Sequence, residues 1–308
     1  MTATTSVHVE KLTKRFGAFV AVNAISFDIT AGEIWGFLGP NGSGKSTTIR
    51  MLCGVLEPTS GTADILGFDV ARDPEAVKLR IGYMSQGSTL WADLTVQEHL
   101  RFYAGLYGMN GSEREERISA WMQRVGLSER RDQLAGALPG GYRKRLALAC
   151  TLLHAPQMIF LDEPTAGVDP VSRREFWDII VGLADEGTTV MVTTHYLDEA
   201  EHCNRLAMIY NGNIVASGTP EELKHLPQIG TTVEVLSSDT VGVLDAVEQL
   251  PFVRGAGLYG SSLHIALADA TDIERLNAAL AEHALPAKPA QPVLPSLEDV
   301  FSAVVKPQ

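Results

Sequence analysis

The chain has 308 residues, which is enough for one large domain or two ordinary domains with a substantial core. Its apolar fraction of 45% and charged fraction of 20% are typical of a soluble globular protein. The 25 basic and 37 acidic residues give a formal charge of −12, which argues against general nucleic-acid binding.

The N-terminus lacks the charged and apolar regions of a signal peptide, and no apolar run approaches the roughly 20 residues that span a bilayer. Any work at a membrane is therefore expected to need a separate anchor. The cysteines Cys53, Cys150 and Cys203 are widely spaced and match no metal-binding pattern. We expect them to be reduced core residues of a cytosolic protein.

The first part of the chain predicts a phosphate-binding turn. Residues 7–38 suit several strands, the last of them the buried run 34–38. Directly after it, Gly-Pro-Asn-Gly-Ser-Gly-Lys-Ser-Thr at 39–47 fits the phosphate-loop (Walker A) pattern G-x-x-x-x-G-K-[ST]. A helix is expected from Thr47. A strand, a glycine-rich turn and a helix N-terminus in this order direct backbone N–H groups at an anion.

The phosphate-loop pattern also assigns individual roles. Lys45 is predicted to reach the β- and γ-phosphates of a nucleotide, and the Ser46 hydroxyl is predicted to ligate Mg²⁺. The predicted nucleotide-binding residues of the loop are Gly39, Pro40, Asn41, Gly42, Ser43, Gly44, Lys45, Ser46 and Thr47.

A helical region follows a short strand predicted at 81–84. Gln86 comes directly after that strand, and apolar residues recur with helical spacing from about 95 to 154. Within this region Gly140 and Gly141 open an apolar-periodic helix. They mark either a flexible helix entry or a second anion-binding helix start that serves another subunit.

Two short apolar runs, 158–161 and 189–192, are typical of buried parallel strands. Between them a helix is predicted from Pro170, with Asp169 as its N-cap, to Glu186. This alternation indicates an α/β fold with a parallel sheet.

Carboxylates and a histidine follow these two strands. Asp162 is expected to hold Mg²⁺ opposite Ser46, and Glu163 to act as the general base for an attacking water. Gln86 and His195 are candidates for contacts with that water and the γ-phosphate, although each residue type is by itself most often structural.

The C-terminal part of the chain predicts a second domain. Residues 206–218 indicate a hairpin through Asn211-Gly212. Beyond Pro220 we predict a strand at 231–236, a helix at 241–250, a hairpin at 258–267, a helix at 273–283, a Pro/Ala-rich connector at 286–295 and a helix at 297–304. This order suits a small α+β accessory domain at 225–308, with a ferredoxin-like β-α-β-β-α-β arrangement.

The combined motifs resemble an ATP-binding cassette (ABC) ATPase over about residues 6–224. They are Phe16, the loop 39–47, Gln86, L-x-G-G at 138–141, F-L-D-E-P at 160–164, Gly167-Val-Asp169 and His195. The resemblance implies an α/β P-loop NTPase cassette with a parallel-sheet core, an antiparallel β subdomain and a helical subdomain at about 87–154.

The resemblance also implies a residue set for ATP and Mg²⁺. Phe16 would stack on adenine. The implied catalytic residues are Glu163, His195, Gln86 and Lys45, and the implied Mg²⁺ ligands are Ser46, Gln86 and Asp162. Two cassettes, identical or sibling, would sandwich two ATP molecules, with Asp169 at the dimer contact. Gly140, Gly141 and Tyr142 of the signature segment would then act on the nucleotide of the opposite subunit.

A narrower resemblance points to export. The runs 160–170 and 194–201 and the tail 295–301 are similar to the ATPases of type-2, drug-resistance-type ABC exporters. This implies a separate integral-membrane permease, which holds the ATPase at the cytoplasmic face of the cell membrane. The permease would dock on the segment 87–130, where Leu90 and Trp91 are either docking or core residues.

Four other classes of ABC protein are alternatives. Ribosome-acting members usually carry two cassettes in one chain, and chromosome-type members carry a long coiled coil that this chain has no room for. A regulatory or weakly hydrolysing cassette and an importer ATPase remain open. The signature motif motivates the former, because Pro139 and Tyr142 replace the family's Ser and Gln. Proline lacks the hydroxyl that would donate a hydrogen bond to the γ-phosphate.

Overall fold

The computed structural model describes residues 4–87, 90–282 and 286–305. The chain divides into two compact units, Met1–Ile214 and Val215–Gln308, so the division falls upstream of the 224/225 boundary that the sequence suggests. No helix in the described ranges is long and apolar enough to cross a bilayer.

The first unit contains most of the strands and helices. The strands are β1 (Thr5–Phe16), β2 (Phe19–Thr30), β3 (Ile34–Leu38), β4 (Ser60–Ile65), β5 (Phe68–Asp69), β6 (Ile81–Met84), β7 (Met158–Asp162), β8 (Thr189–Thr194), β9 (Arg205–Tyr210) and β10 (Asn213–Gly218), which runs past its end. The α-helices are α1 (Lys45–Leu52), α2 (Pro74–Lys78), α3 (Val96–Leu106), α4 (Gly111–Arg124), α5 (Gly140–Leu152), α6 (Pro170–Asp185) and α7 (Leu197–Ala200).

A largely parallel sheet forms the centre of this unit, with the strand order β10-β9-β3-β8-β7-β6. Strands β3, β7 and β8 are buried along their whole length, because their apolar side chains are covered on both faces. The strands β6, β7, β8, β3 and β9 pair in parallel. Their carboxyl ends therefore meet at one edge, which is where open α/β sheets bind ligands.

An antiparallel sheet in the order β2-β1-β4-β5 packs its apolar side chains into the same core as β3 and α1. Helices α3, α4 and α5 enclose a separate apolar cluster of their own. These two parts are the antiparallel and helical subdomains that the resemblance implies, so the predicted fold class is confirmed.

The second unit has the predicted β-α-β-β-α-β order. Its elements are α8 (Pro220–Lys224), β11 (Thr231–Val235), α9 (Thr240–Val247), β12 (Val253–Tyr259), β13 (Ser262–Leu267), α10 (Asp272–Glu282), β14 (Gln291–Pro292) and α11 (Leu297–Val305). The strand order β12-β13-β11-β14 is antiparallel throughout, as in a split β-α-β fold.

Three details differ from the sequence-based expectations. Helix α1 begins at Lys45 rather than Thr47, because the phosphate loop leads straight into its first turn. The predicted hairpin 258–267 begins at Val253, and the Pro/Ala-rich connector contains the short strand β14. The C-terminal end of the helix predicted at 273–283 lies outside the described residues. The three cysteines are free and buried, as expected.

Candidate nucleotide site

The phosphate loop joins the end of β3 to the start of α1, and two of its positions accept only glycine. Gly44, the N-cap of α1, has a φ of +111°, and a Cβ there would lie 2.6 Å from the carbonyl oxygen of Ala21. A Cβ on Gly39 would lie 2.3 Å from the carbonyl oxygen of Ile209. The N–H groups and the dipole at the start of α1 favour an anion, and no acidic residue in the first turn opposes this.

Two buried side chains of the loop fit a phosphate ligand. The Ser43 hydroxyl is buried and has no hydrogen-bond partner among the described residues. The Lys45 ammonium group is also buried and donates to the carbonyl oxygens of Gly39 at 2.7 Å and Pro40 at 3.1 Å. Buried polar groups normally find partners, and phosphate oxygens are strong acceptors for both donors.

Asp162, at the end of β7, fits a magnesium ligand. Its Oδ1 accepts hydrogen bonds from the Ser46 hydroxyl at 2.9 Å and the Thr193 hydroxyl at 2.8 Å. No group of three or more His, Cys, Asp or Glu residues suited to a metal occurs in the described part of the chain. The Ser46–Asp162 pair still suits Mg²⁺, which usually takes one or two protein carboxylates and completes its shell with substrate phosphates and water.

Glu163 is the residue on which the other predicted catalytic side chains converge. Its Oε1 lies 3.1 Å from the Lys45 Nζ, and its Oε2 accepts a hydrogen bond from the Gln86 side-chain amide at 2.9 Å. The Nδ1 of His195 lies 3.2 Å from the same Oε2, without the angles of a hydrogen bond. Glu163 is only 5% exposed, so the Lys45 charge is its main compensation for the loss of water.

The backbone at Glu163 is strained. Its φ of +46° is unfavourable for a residue with a side chain. Its N–H donates to both the carbonyl oxygen of Thr193, at 3.1 Å, and the Thr193 Oγ1, at 3.0 Å. Such conformations persist where the surroundings impose them, and they concentrate at functional sites.

The signature segment opens α5. Pro139 is the N-cap and its side chain makes no capping hydrogen bond, so the first N–H groups of α5 have no side-chain cap. A Cβ on Gly141 would lie 2.6 Å from the Ser172 Oγ, whereas a Cβ on Gly140 would meet nothing closer than the Gly167 carbonyl oxygen at 3.9 Å. Gly141 is therefore required for internal packing, and Gly140 is not.

Asp169 follows Glu163 along the chain and caps α6. Its Oδ1 accepts a hydrogen bond from the backbone N–H of Ser172 at 3.0 Å, and this bond lowers the pKa of the Asp169 carboxyl. No hydrogen bond or ion pair among the described residues joins Asp169 or Gly140 to Glu163. The signature glycines and Asp169 thus lie near each other but apart from the cluster around Glu163.

Helix α5 also contacts the segment that carries Gln86. Lys144 donates to the backbone carbonyl oxygen of Gln86 at 3.3 Å, and burial lowers the pKa of Lys144. The Tyr142 ring lies between two guanidinium groups, 4.2 Å from Arg130 and 5.1 Å from Arg145. These cation–π contacts hold Tyr142 in place.

The peripheral candidates are partly exposed. Phe16 is 52% exposed at the end of β1, with the Lys14 ammonium group 5.3 Å from its ring. Trp91 is 48% exposed and packs edge-on against Phe102 at 4.8 Å. Leu90 is half-buried against two apolar clusters, so of the two predicted docking residues Trp91 is the more exposed.

Sequence reasoning missed Thr193. The Thr193 hydroxyl donates to the Asp162 carboxylate and accepts from the backbone N–H of Glu163, and so fixes the Asp162 side chain and the Glu163 backbone. The available signal was the pair Thr193-Thr194 at the end of an apolar strand, because two hydroxyl groups at that edge of a sheet need local partners.

The glycine-only loop at a helix N-terminus, its buried lysine, the serine–aspartate pair and the adjacent glutamate define the class: this is a P-loop nucleotide-binding cassette. A family model described as "ABC transporter" matches residues 22–166. Among solved structures, cbiO1 from Clostridium perfringens is 28% identical with a TM-score of 0.66, covering 71% of this chain and 90% of that chain. A post-hydrolysis dimer of the ATP-binding cassette MJ0796, bound to ADP and Pi, is 25% identical with a TM-score of 0.64, covering 69% and 98%.

Curated relatives identify the family. The "Nod factor export ATP-binding protein I" of Paraburkholderia xenovorans is 33% identical over 298 residues, which is 96% of this chain and 95% of that protein. The daunorubicin/doxorubicin resistance ATP-binding protein DrrA of Streptomyces peucetius is 41% identical over 72% of this chain and 67% of that protein. The chain belongs to the ABC transporter family of ATP-binding proteins, and as an ABC cassette it binds ATP.

One relative is much longer than this chain. The "Probable multidrug ABC transporter ATP-binding protein YbhF" of Escherichia coli is 48% identical over 220 residues. That match covers 71% of this chain but only 38% of the relative.

Proposed function

We propose that this chain hydrolyses ATP as one half of a pair of ABC cassettes and so powers an exporter through a separate membrane permease. The convergence of Lys45, Gln86 and His195 on Glu163 is the observation that carries the proposal. Hydrolysis needs such groups around an attacking water. Together with Glu163, these residues come from four different segments of the chain.

Each residue has a distinct part in this proposal. Glu163 accepts a proton from the attacking water as the general base, while Gln86 and His195 orient that water and the γ-phosphate. Lys45 and the N–H groups of the phosphate loop stabilise the charge on the β- and γ-phosphates. Ser46 and Asp162 would hold Mg²⁺, which supplies charge neutralisation of the phosphate oxygens when bound.

The second half of the site would come from another cassette. Among the described residues, the helix start at Gly140 and the nearby Asp169 make no hydrogen bond or ion pair with Glu163, which suits a role at the nucleotide of the opposite subunit. The dimeric form of the similar cassette MJ0796 supports this arrangement. The partner cassette would be a second copy or a sibling chain.

The direction of transport is inferred from relatives. DrrA is named for drug resistance and the Nod factor protein for export, and the latter matches nearly the whole of this chain. A permease would hold the chain at the cytoplasmic face of the cell membrane. The exposed ring of Trp91, close to Gln86 in the sequence, is the docking position that we propose for it.

The test of this proposal is the Glu163→Gln variant. Loss of the general base should lower the ATP hydrolysis rate by about 10²- to 10⁴-fold, while ATP binding persists. Steady-state hydrolysis and binding of a fluorescent ATP analogue measure the two quantities separately. A variant that turns over ATP at the wild-type rate would refute the assignment of Glu163, and a wild type inactive even with its permease would refute hydrolysis.

A weakly hydrolysing cassette is the second candidate. The observation that favours it is the uncapped start of α5, where Pro139 offers no hydroxyl to a γ-phosphate. An importer ATPase gains no such support from the geometry.

A further inference from the structure

Besides Asp162 and Glu163, a further buried carboxylate is hydrogen-bonded to residues next to the catalytic cluster. Glu199, in α7, is 1% exposed. Its Oε2 accepts a hydrogen bond from the Thr194 hydroxyl at 2.7 Å, and its Oε1 accepts one from the Thr165 hydroxyl at 2.5 Å. The Nε of Arg173, also buried, lies 3.5 Å from Oε1 and compensates the charge without forming a hydrogen bond.

The partners of Glu199 lie in or next to the two turns that carry His195 and Asp169. Thr194 immediately precedes His195, and its Oγ1 also accepts a hydrogen bond from the backbone N–H of Tyr196 at 2.9 Å. The carbonyl oxygen of Thr194 accepts a hydrogen bond from the Gly39 N–H at 3.4 Å, which ties the same residue to the phosphate loop. The backbone on both sides of His195 is therefore fixed through Thr194.

The other turn leads from Glu163 to Asp169. Thr165 lies two residues after Glu163, and its carbonyl oxygen accepts a hydrogen bond from the Val168 N–H at 3.0 Å. Arg173 lies in the first turn of α6, where its N–H donates to the carbonyl oxygen of Asp169 at 2.9 Å.

Burying a carboxylate is costly unless it is paired, so a sequence keeps one only where its bonds are needed. Within the described ranges Glu199 makes no hydrogen bond or ion pair with the phosphate loop, Asp162 or Glu163. Its bonds instead reach both turns at once, and His195 and Asp169 are carried by those turns.

We propose that Glu199 is a positioning residue of the hydrolytic site. Acting through Thr194 it holds His195 against Glu163, and acting through Thr165 and Arg173 it holds the turn that carries Asp169. This inference rests on the proposed ATP hydrolysis. In this proposal Glu199 links the turn that carries His195 to the turn that carries Asp169.

The test compares two Thr→Val substitutions on the same strand. Thr194→Val removes the hydroxyl between Glu199 and Tyr196. Thr189→Val, at the other end of β8, is the matched control, because its hydroxyl also makes two hydrogen bonds, with Ser6 and with the Gly32 N–H. Misplacement of a catalytic group by about 1 Å costs about 100-fold, so Thr194→Val should lower kcat by about 10- to 100-fold. KM should change less than about threefold, since the ATP-binding groups are untouched.

Two further variants separate positioning from simple structural damage. Thr194→Ser, which keeps the hydroxyl, should restore kcat to near the wild-type value. In a His195→Ala background, Thr194→Val should have little further effect, since residues that act through one another are not additive. Glu199→Gln should there keep only the part of its effect that passes through Thr165 and Arg173.

The outcomes distinguish this inference from the function on which it rests. Equal kcat values for Thr194→Val and Thr189→Val, or full additivity with His195→Ala, would overturn the role of Glu199 while leaving hydrolysis intact. An inactive wild type would overturn both. Circular dichroism and ATP binding on every variant identify any that fail to fold, and Glu199→Gln, similar in size to glutamate, then carries the comparison.

Discussion

Lys45 and Glu163 are two charges buried together, at 4% and 5% exposure, beside the N-terminus of α1. Removing one member of such a pair leaves the other without compensation, which typically costs about 3–5 kcal/mol. Gln86 and His195 also face Glu163, but the lysine is its one permanent cation among the contacts described. The free energy of unfolding without nucleotide should therefore depend directly on this pair.

We expect Lys45→Met to lower the free energy of unfolding by about 3–5 kcal/mol without nucleotide, because Glu163 then lacks its cation. The double variant Lys45→Met/Glu163→Gln should recover most of this loss, since the remaining buried group is neutral. Urea unfolding of the wild type, both single variants and the double variant measures the coupling. Additive losses in the double variant would show that the two charges do not depend on each other.

Pro139 stands where the signature motif that the chain resembles has serine. Pro139→Ser should restore a hydroxyl at the N-cap of α5, where it can cap the helix or donate to a γ-phosphate. A hydrogen bond to a charged group contributes about 1.5–3 kcal/mol, so ATP turnover and the ATP-dependent association constant should rise by up to about 10- to 150-fold.

The control for Pro139→Ser is Tyr142→Gln, which restores the other family residue without adding a hydroxyl at the N-cap. A rate that Pro139→Ser leaves unchanged would mean that the N–H groups of α5 suffice. The weakly hydrolysing alternative would then lose its support.

At the scale of single elements, α3 contains a buried histidine whose protonation state its neighbours fix. The Nε2 of His99 accepts a hydrogen bond from the Trp91 N–H at 2.9 Å, and its Nδ1 lies 2.9 Å from the Thr95 carbonyl oxygen. Nδ1 therefore carries the proton and the ring is neutral. Burial lowers the pKa of His99 below 6.5, although the Thr95 carbonyl opposes that effect.

The sign of the pH effect follows from the lowered pKa. Below about pH 6.5 the unfolded chain takes up a proton at His99 that the folded chain does not. The contribution of His99 to folding stability is therefore fully present above about pH 6.5 and should be lost as the pH falls below it. His154, whose pKa burial also lowers, contributes with the same sign.

His99→Gln should reduce this pH dependence, and urea unfolding midpoints at pH 7.5 and 5.5 measure it. The matched control is His8→Gln, because the pKa of His8 is raised by its hydrogen bond with Asp28 and its effect has the opposite sign. An unchanged pH dependence in His99→Gln would contradict the role of this histidine.

The sequence predicted elements best where apolar runs were short and continuous. The runs at β3, β7 and β8 can only be buried strands, and polar residues after them lie at one edge of a parallel sheet. This is why Asp162, Glu163 and His195 were identified as site candidates. Glu199 was missed, because a carboxylate in a charged helical stretch resembles a solvated residue until its distant partners Thr165 and Arg173 are known.

At the scale of the whole molecule, the proposed dimer of cassettes depends on Gly140 at the start of α5. The motif order predicted that Gly140 acts on another subunit, and the monomer offers a way to separate that role from folding. A Cβ on Gly140 would meet nothing closer than 3.9 Å, and this glycine is not among the residues with positive φ. Gly141 differs, since a Cβ there would lie 2.6 Å from the Ser172 Oγ.

Gly140→Ala should therefore fold at least as well as the wild type. A Gly→Ala change at a compatible position stabilises by about 0.4–1 kcal/mol, because the unfolded chain loses freedom. The added methyl group would nevertheless stand at the helix start that we propose approaches the opposite subunit's γ-phosphate. The comparison is made in a Glu163→Gln background, in which ATP hydrolysis is slow. There Gly140→Ala should weaken ATP-dependent dimerisation by at least about tenfold, which is the effect of losing a charge-assisted hydrogen bond.

Sedimentation velocity with ATP measures the association, and thermal unfolding without nucleotide measures the fold. Gly141→Ala is the informative comparison, because its internal clash with Ser172 should lower both association and melting temperature. If Gly140→Ala instead dimerised with ATP as readily as its parent, the α5 start would not face the partner's nucleotide. The missing half of the site would then have to come from another surface.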